Sequence, residues 1–163
     1  HHMDKPIAGW KVLKNLLKTG GLMKIGLYSE LARNRVIKIR DEITSLGIGA
    51  SASEIKNFRH LVNISKENDK KKISDFSDFF SLSECRDLIF HVQEHNFTLP
   101  MIQEYLNDLE LKFCGFEDQD IVSKFKKFHG KGSDTYDLML WHQFEKNNPD
   151  TFGNMYQFWC QKI

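Results

Sequence analysis

The sequence has little that would direct it to nucleic acid, to a membrane or out of the cell. Lys and Arg (23) nearly balance Asp and Glu (22) among the 163 residues, so no global positive field attracts a phosphate backbone. No apolar run approaches the roughly 20 residues that span a bilayer, and no charged and then apolar leader opens the chain. We therefore expect a cytoplasmic protein that binds neither nucleic acid nor membrane.

Cysteine is scarce and lacks the spacing of a structural or redox site. Cys85, Cys114 and Cys160 are odd in number, widely separated and form no CxxC pair. This usage is typical of reduced thiols in a cytosolic protein and not of a disulfide framework.

The beginning of the chain carries the clearest pattern. Apolar residues recur at helical spacing up to Leu17, Gly20 and Gly21 end the helix, and an apolar strand follows from Leu22 to Tyr28. A strand that is apolar on both faces needs neighbouring strands and covering layers. With 163 residues and 40% hydrophobic content the chain can bury one core. We therefore expect one domain fragment, the back part of a larger α/β enzyme.

The predicted order over the whole chain is helix, strand, helical insertion, helix, strand, helices and strand. Two further strands are predicted, over Leu111–Phe116 and Met155–Cys160. Helices are predicted from Ser29 to about Leu46, from Ser51 or Ser53 onward, over Leu99–Leu109, over Ile121–Phe128, and from a cap at Asp134 or Thr135 to Asn148. The polar run Ser65–Lys72 has no periodicity and predicts a solvated, mobile loop.

A segment between Phe76 and Phe97 combines aromatic bulk with many reactive side chains. It includes an H-x-x-E-H arrangement, His91-Val92-Gln93-Glu94-His95. On a helix the two histidines share a face and suit Zn²⁺, with Glu94 activating water. No motif supplies a third ligand, so we expect no metal. A zinc hydrolase is a remote alternative. The other alternative is that His91 and His95 are hydrogen-bonded residues with a purely structural role.

Long contiguous runs of this chain carry a family resemblance. They are His1–Asp4, Ala8–Leu13, Gly20–Met23, Gly26–Ser29, Phe79–Ser81, Glu84–Leu88, Phe90–His95, Trp141–His142, Phe144–Glu145, Asn148–Phe152 and Met155–Trp159. Together they resemble the carboxyl-terminal part of bacterial class I S-adenosylmethionine-dependent methyltransferases, in particular those with tetratricopeptide repeats upstream.

The resemblance implies a helix-rich α/β fold, the C-terminal part of a Rossmann-like methyltransferase. The three predicted strands would form a mixed sheet with the last strand antiparallel in the middle. Residues 1–28 would be a helix and a strand of the core. Residues 29–98 would be a helical insertion with a substrate-side segment over 76–98, and residues 99–163 would hold the terminal helices and last two strands.

The resemblance also assigns roles to particular residues. Methyl transfer to an amine needs an oriented acceptor and a route for a proton. The predicted catalytic residues are His91, Glu94, His95 and Asp87. The predicted substrate-binding residues are Tyr28, Ser29, Ser83, Glu84, Arg86 and Tyr156. Tyr28 and Ser29 end a strand, where ligands of open α/β sheets lie. His1 and His2 would contact the cofactor if they are native and not tag residues.

The donor-binding features of the family have no counterpart in this sequence. The glycine-rich loop after the first strand and the acidic end of the second are missing, and neither Gly20-Gly21 nor Gly130-Lys131-Gly132 replaces them. We expect S-adenosylmethionine to bind the parent protein and not this fragment, which would be inactive alone. Its partners would be the missing N-terminal part of the polypeptide and an unidentified methyl acceptor. The exposed edge of the first strand predicts a dimer or an exchanged segment. The alternative function is a non-catalytic binding or regulatory module.

Overall fold

The computed structural model of the protein describes residues 1–74, 76–90 and 94–163, with the backbone alone at positions 68 and 69. The chain divides into two compact units: residues 1–32 with 93–163 form unit 1, and residues 33–92 form unit 2. His91 lies outside the described residues. No helix in the described ranges is long and apolar enough to cross a membrane.

The elements form a helix-rich α/β pattern in which several helices follow one another between strands. In chain order they are α1 (Pro6–Leu16), β1 (Leu22–Ser29), α2 (Glu30–Ser45), α3 (Ala52–Ile64), α4 (Asn68–Ile73), a 3-10 turn (Ser77–Phe79), α5 (Leu82–Phe90), β2 (Asn96–Phe97), α6 (Leu99–Asp108), β3 (Leu111–Phe116), α7 (Gln119–His129), α8 (Leu138–Asn147) and β4 (Tyr156–Lys162).

The sheet of unit 1 has the strand order β2-β1-β4-β3. β4 is antiparallel to both β1 and β3, which confirms the prediction that the last strand lies reversed between the other two. The predicted count of three strands was wrong, because β2 adds a fourth strand that runs parallel to β1. β2 has only two residues, which is too short for an alternating pattern.

One face of the sheet is buried beneath helices of unit 1. Leu27 of β1 pairs with Tyr156 of β4, and both face the core. The indole of Trp10 on α1 contacts Phe158, and Trp141 on α8 stacks on Phe125 of α7 with ring centroids 4.0 Å apart. The opposite face is partly open to solvent, and Trp159 of β4 on this face is 39% exposed.

A glycine with positive φ interrupts the pairing of β3. The register between β3 and β4 shifts between Phe113 and Phe116, and Gly115 in this stretch has φ 106°. This backbone conformation is open to glycine and strained for other residues. Gly115 therefore permits the bulge that ends the regular ladder.

Unit 2 is helical and has its own apolar core. Its fully buried side chains include Val36, Ile55, Phe79 and Cys85. The guanidinium of Arg40 on α2 donates to the carbonyl oxygen of Leu88 at 2.7 Å. This bond links α2 to α5.

Two local predictions were wrong. The predicted loop Ser65–Lys72 contains most of α4, and Lys70 of this helix forms an ion pair of 2.7 Å with Glu42. The cap of α8 is Asp137, not Asp134 or Thr135, because its carboxylate accepts from the amides of Met139 and Leu140.

Candidate functional site

Two parallel strands end side by side at one edge of the unit 1 sheet. Tyr28 pairs with Asn96, and Ser29 pairs with Phe97. α2 begins directly after β1, and α6 begins after Thr98, whose hydroxyl caps it by accepting from the Met101 amide. The carboxyl ends of parallel strands followed by helices are where open α/β sheets place ligands.

Aromatic rings from distant parts of the sequence meet at these strand ends. The His1 ring lies 4.5 Å from the Tyr28 ring and 4.2 Å from the His2 ring, both edge to face. The His95 amide donates to the His1 carbonyl oxygen at 2.9 Å. The predicted residues His1, His2, Tyr28 and His95 thus form one cluster, which we call the strand-end cluster.

Two buried polar atoms beside the strand-end cluster have no hydrogen-bond partner within the described part of the chain. They are Nε2 of His95 and Oδ1 of Asn96. Buried polar atoms in folded proteins are nearly always paired with protein, water or ligand. Both residues are half-buried. This edge of the sheet therefore has polar groups suited to a bound ligand.

A carboxylate is buried beneath the same strand ends. Glu145 of α8 is fully buried and accepts a hydrogen bond from the Ser29 hydroxyl at 2.5 Å. The Tyr156 hydroxyl lies 2.7 Å from each of its oxygens. Ser29 accepts in turn from the Ala32 amide at 3.1 Å and so caps α2. We call Ser29, Glu145 and Tyr156 the buried carboxylate cluster.

Burial governs the electrostatics of the buried carboxylate cluster. Loss of solvent raises the pKa of Glu145, while the hydrogen bonds from Ser29 and Tyr156 oppose this rise. Burial and then the neighbouring Glu145 carboxylate raise the pKa of Tyr156, which stays a phenol. Because the phenol keeps its proton, it remains available as a donor to Glu145.

Ser29 and Tyr156 were predicted to bind substrate, and this role stays a prediction. Both side chains are fully buried, with their hydroxyls on Glu145. Glu145 was not predicted as a site residue. A signal did exist, because Glu145 falls on the same stripe of α8 as Leu138 and Trp141, and a carboxyl on an apolar stripe needs buried partners.

Four further predicted residues lie on α5 in unit 2. Ser83, Glu84, Arg86 and Asp87 are all exposed. The Arg86 guanidinium donates to the Ala50 carbonyl oxygen at 3.2 Å. Their catalytic and substrate-binding roles remain predictions.

The H-x-x-E-H arrangement is described only at its end. His91 lies outside the described residues, whereas Glu94 and His95 lie just before β2 in unit 1. Over residues 1–74, 76–90 and 94–163, no group of three His, Cys, Asp or Glu side chains is placed to hold a metal ion.

Comparison with known proteins points to a methyltransferase-like fold. No protein-family model matches the chain. It is 24% identical over 132 residues to the uncharacterized protein syc1184_c of Synechococcus sp., an alignment that covers 74% of this chain and 30% of that protein. Its structure is similar to that of the methyltransferase PKMT2 from Rickettsia typhi, with a TM-score of 0.61 and 12% identity over 96% of this chain and 32% of that one. The chain thus spans about a third of the length of the proteins it matches.

Proposed function

We propose that this chain is the C-terminal part of an S-adenosylmethionine-dependent methyltransferase, that it supplies the substrate side of the active site, and that it is inactive alone. The observation that carries the proposal is the sheet, in which β4 lies antiparallel between β1 and β3. The fold similarity to a methyltransferase over 96% of the chain supports the same assignment.

The strand-end cluster would receive the methyl acceptor. An amine acceptor must lose a proton when its nitrogen bonds to the methyl group, and an imidazole with a pKa near neutrality suits that role. The half-buried His95 provides one imidazole, and His1, which packs edge to face on Tyr28, provides another. Glu94 directly precedes His95 in the sequence. His91 and Asp87 stay candidates on the resemblance alone.

In this proposal the chain supplies one wall of the pocket for S-adenosylmethionine. The orphaned Nε2 of His95 and Oδ1 of Asn96 offer hydrogen bonds to a polar ligand. The methionine and ribose portions of that cofactor need a glycine-rich loop and an acidic strand end, which this sequence lacks. We therefore propose that the missing part of the donor site lies elsewhere in the longer polypeptide.

The partner in this proposal is the upstream part of the same polypeptide. Among the described strands, β2 pairs with one edge of β1 only at Tyr28 and Ser29. From Leu22 to Leu27, β1 pairs with β4 on its other edge, and no described strand covers the first edge. His1 packs on Tyr28 at the carboxyl end of β1. A strand directly upstream of His1 would therefore run parallel to β1 along this edge, with α1 as the crossover. Without that strand, the edge favours a dimer or an exchanged segment.

Calorimetric titration with S-adenosylmethionine tests the proposal. The 163-residue chain and a longer version that includes the natural upstream residues should be compared under the same conditions. Binding by the longer protein alone supports the proposal. Tight binding by neither protein, or equal binding by both, contradicts it.

The alternative is a binding or regulatory module that presents the Phe79–Phe97 region, which includes Phe80, to another protein. Phe80 is 61% exposed and packs edge to face on the buried Phe79. This alternative predicts that Phe80→Ala leaves the fold intact and abolishes capture of a partner, while the longer protein does not bind S-adenosylmethionine. Stoichiometric zinc in the purified protein would instead favour the hydrolase.

A further inference from the structure

Glu145 is a fully buried carboxyl that the proposed methyl transfer does not use. An ionisable group is costly to bury unless hydrogen bonds replace its hydration. Here the hydroxyls of Ser29 and Tyr156 provide them, and both of these residues are also 0% exposed. Such an arrangement indicates that the carboxyl holds other groups in place.

The groups that Glu145 holds all belong to the strand ends. Ser29 is the last residue of β1 and the cap of α2, and Tyr156 is the first residue of β4. Glu145 itself lies near the end of α8. One carboxyl therefore joins the ends of two strands and the first turn of a helix.

The strand-end cluster lies immediately beside this anchor. Successive residues of a strand point to opposite faces, so Ser29 points into the core and Tyr28 points away from it. The Tyr28 ring is in turn the surface against which His1 and His2 pack. A shift of Ser29 would thus move Tyr28 and the imidazoles.

We propose that Glu145 is a positioning residue, which fixes Ser29 and thereby holds Tyr28, His1 and His2 in the strand-end cluster. The proposal rests on the proposed function only in giving that cluster the role of a substrate site. Loss of the carboxyl should therefore change the geometry of the cluster and not only the stability of unit 1.

Nuclear magnetic resonance of the whole chain can separate these two effects. The first readout is the pair of imidazole resonances of His1 and His2, which sense the ring current of Tyr28. The second is solvent exchange of the Ala32 amide, which bonds to Ser29. Neither readout needs a methyl donor or acceptor, so the result is independent of the titration with S-adenosylmethionine.

Three variants and one control define the expected results. Glu145→Leu should shift both imidazole resonances and speed exchange of the Ala32 amide by about tenfold, since Ser29 loses the buried acceptor that holds its hydroxyl. Glu145→Gln keeps an acceptor oxygen, and its imidazole resonances should stay at their wild-type positions. The control Phe113→Leu changes a buried residue beside Cys160, at the far end of β4 from Tyr156. It should lower stability and leave both readouts unchanged.

The proposal is overturned if Glu145→Leu folds and leaves the imidazole resonances at their wild-type positions, or if Phe113→Leu shifts them equally. If Glu145→Leu does not fold, Ser29→Ala removes the hydroxyl that Glu145 holds and keeps the carboxyl with its bond from Tyr156. It should shift the same resonances, and unshifted resonances in this variant also overturn the proposal.

Discussion

The hydroxyl of Ser29 lies 2.5 Å from Oε1 of Glu145, although 116 positions separate the two residues in the sequence. Both side chains are fully buried, and the bond joins the end of β1 to α8. A contact of this range is formed only when the sheet and its helices have assembled. It is therefore a sensitive point at which to test the fold.

Replacing Tyr156 with Phe should destabilise unit 1. The change removes the hydroxyl that donates to Glu145, and the Ser29 hydroxyl then remains as its side-chain donor within the described part of the chain. The expected loss is about 2 kcal/mol of the free energy of unfolding, measured by urea denaturation. Tyr136→Phe is the matched control, because this tyrosine is 59% exposed and should change stability by less than about 0.5 kcal/mol.

The effect of Glu145 on stability should depend on pH. Burial raises the pKa of Glu145 in the folded chain above its usual value, so the folded chain binds the proton more tightly than the unfolded chain. Its contribution to stability is complete below the unfolded pKa and is lost as the pH rises through the folded pKa. The free energy of unfolding of the wild type relative to Glu145→Gln should therefore increase as the pH falls from neutral to about 4. A flat difference would show that Glu145 does not titrate in this way.

Glu54 should show the opposite sign and serves as a control for that measurement. The Ser51 hydroxyl and then the amides of Gly49 and Ser51 lower the pKa of this exposed carboxylate. Its contribution is present above the unfolded pKa and is lost as the pH falls through the folded pKa. The wild type should therefore lose stability relative to Glu54→Gln on acidification.

Phe125 and Phe128 on α7 should differ sharply in their response to truncation. Phe125 is fully buried and stacks on Trp141, whereas Phe128 is 48% exposed. Phe125→Ala should cost about 3–5 kcal/mol because it leaves a cavity. Phe128→Ala should cost about 1 kcal/mol or less. Equal midpoints in urea denaturation would contradict the placement of α7.

Gly115→Ala should destabilise β3. The positive φ of 106° at Gly115 strains any side chain, and the expected cost is about 1–2 kcal/mol. Gly132→Ala provides the control, since among the described residues, apart from its chain neighbours, no atom lies within 4 Å of the position that its Cβ would occupy. Thermal unfolding of the two variants should differ by several degrees, and identical midpoints would argue against the bulge.

The edge of β1 should make the chain self-associate. From Leu22 to Leu27 this strand pairs with β4, and β2 covers only Tyr28 and Ser29 on the other side. Sedimentation at increasing concentration should show a dimer, and the longer version with upstream residues should show less association through this edge. A chain that stays monomeric at every concentration contradicts the prediction.

The long strands could be predicted from sequence, and the short elements could not. In each long strand, apolar residues either alternate with polar ones or follow one another over enough positions to predict a strand. These strands are Leu22–Ser29, Leu111–Phe116 and Tyr156–Lys162. Asn96–Phe97 has no pattern of its own and is a strand only because β1 offers an edge. α4 is polar throughout most of its length, and the tertiary ion pair between Lys70 and Glu42 helps to hold it.

The candidate site shows the same division. Tyr28 and Ser29 were predicted because they end an apolar strand that precedes a helix. The meeting of Tyr28 with His1 depends on the path of α1, which no local pattern specifies. Glu145 lies on the apolar stripe of α8, but the sequence does not show which groups would pair with its carboxyl, because Ser29 and Tyr156 become its neighbours only in the assembled sheet.

Ser29 pairs with Phe97, so the segment between these two residues leaves the sheet and re-enters it at adjacent positions. A segment whose two ends meet can lengthen, shorten or be exchanged during evolution without altering the strands on either side. This segment includes all of unit 2. We therefore expect its length and sequence to differ most among relatives that keep the strands β1, β4 and β3.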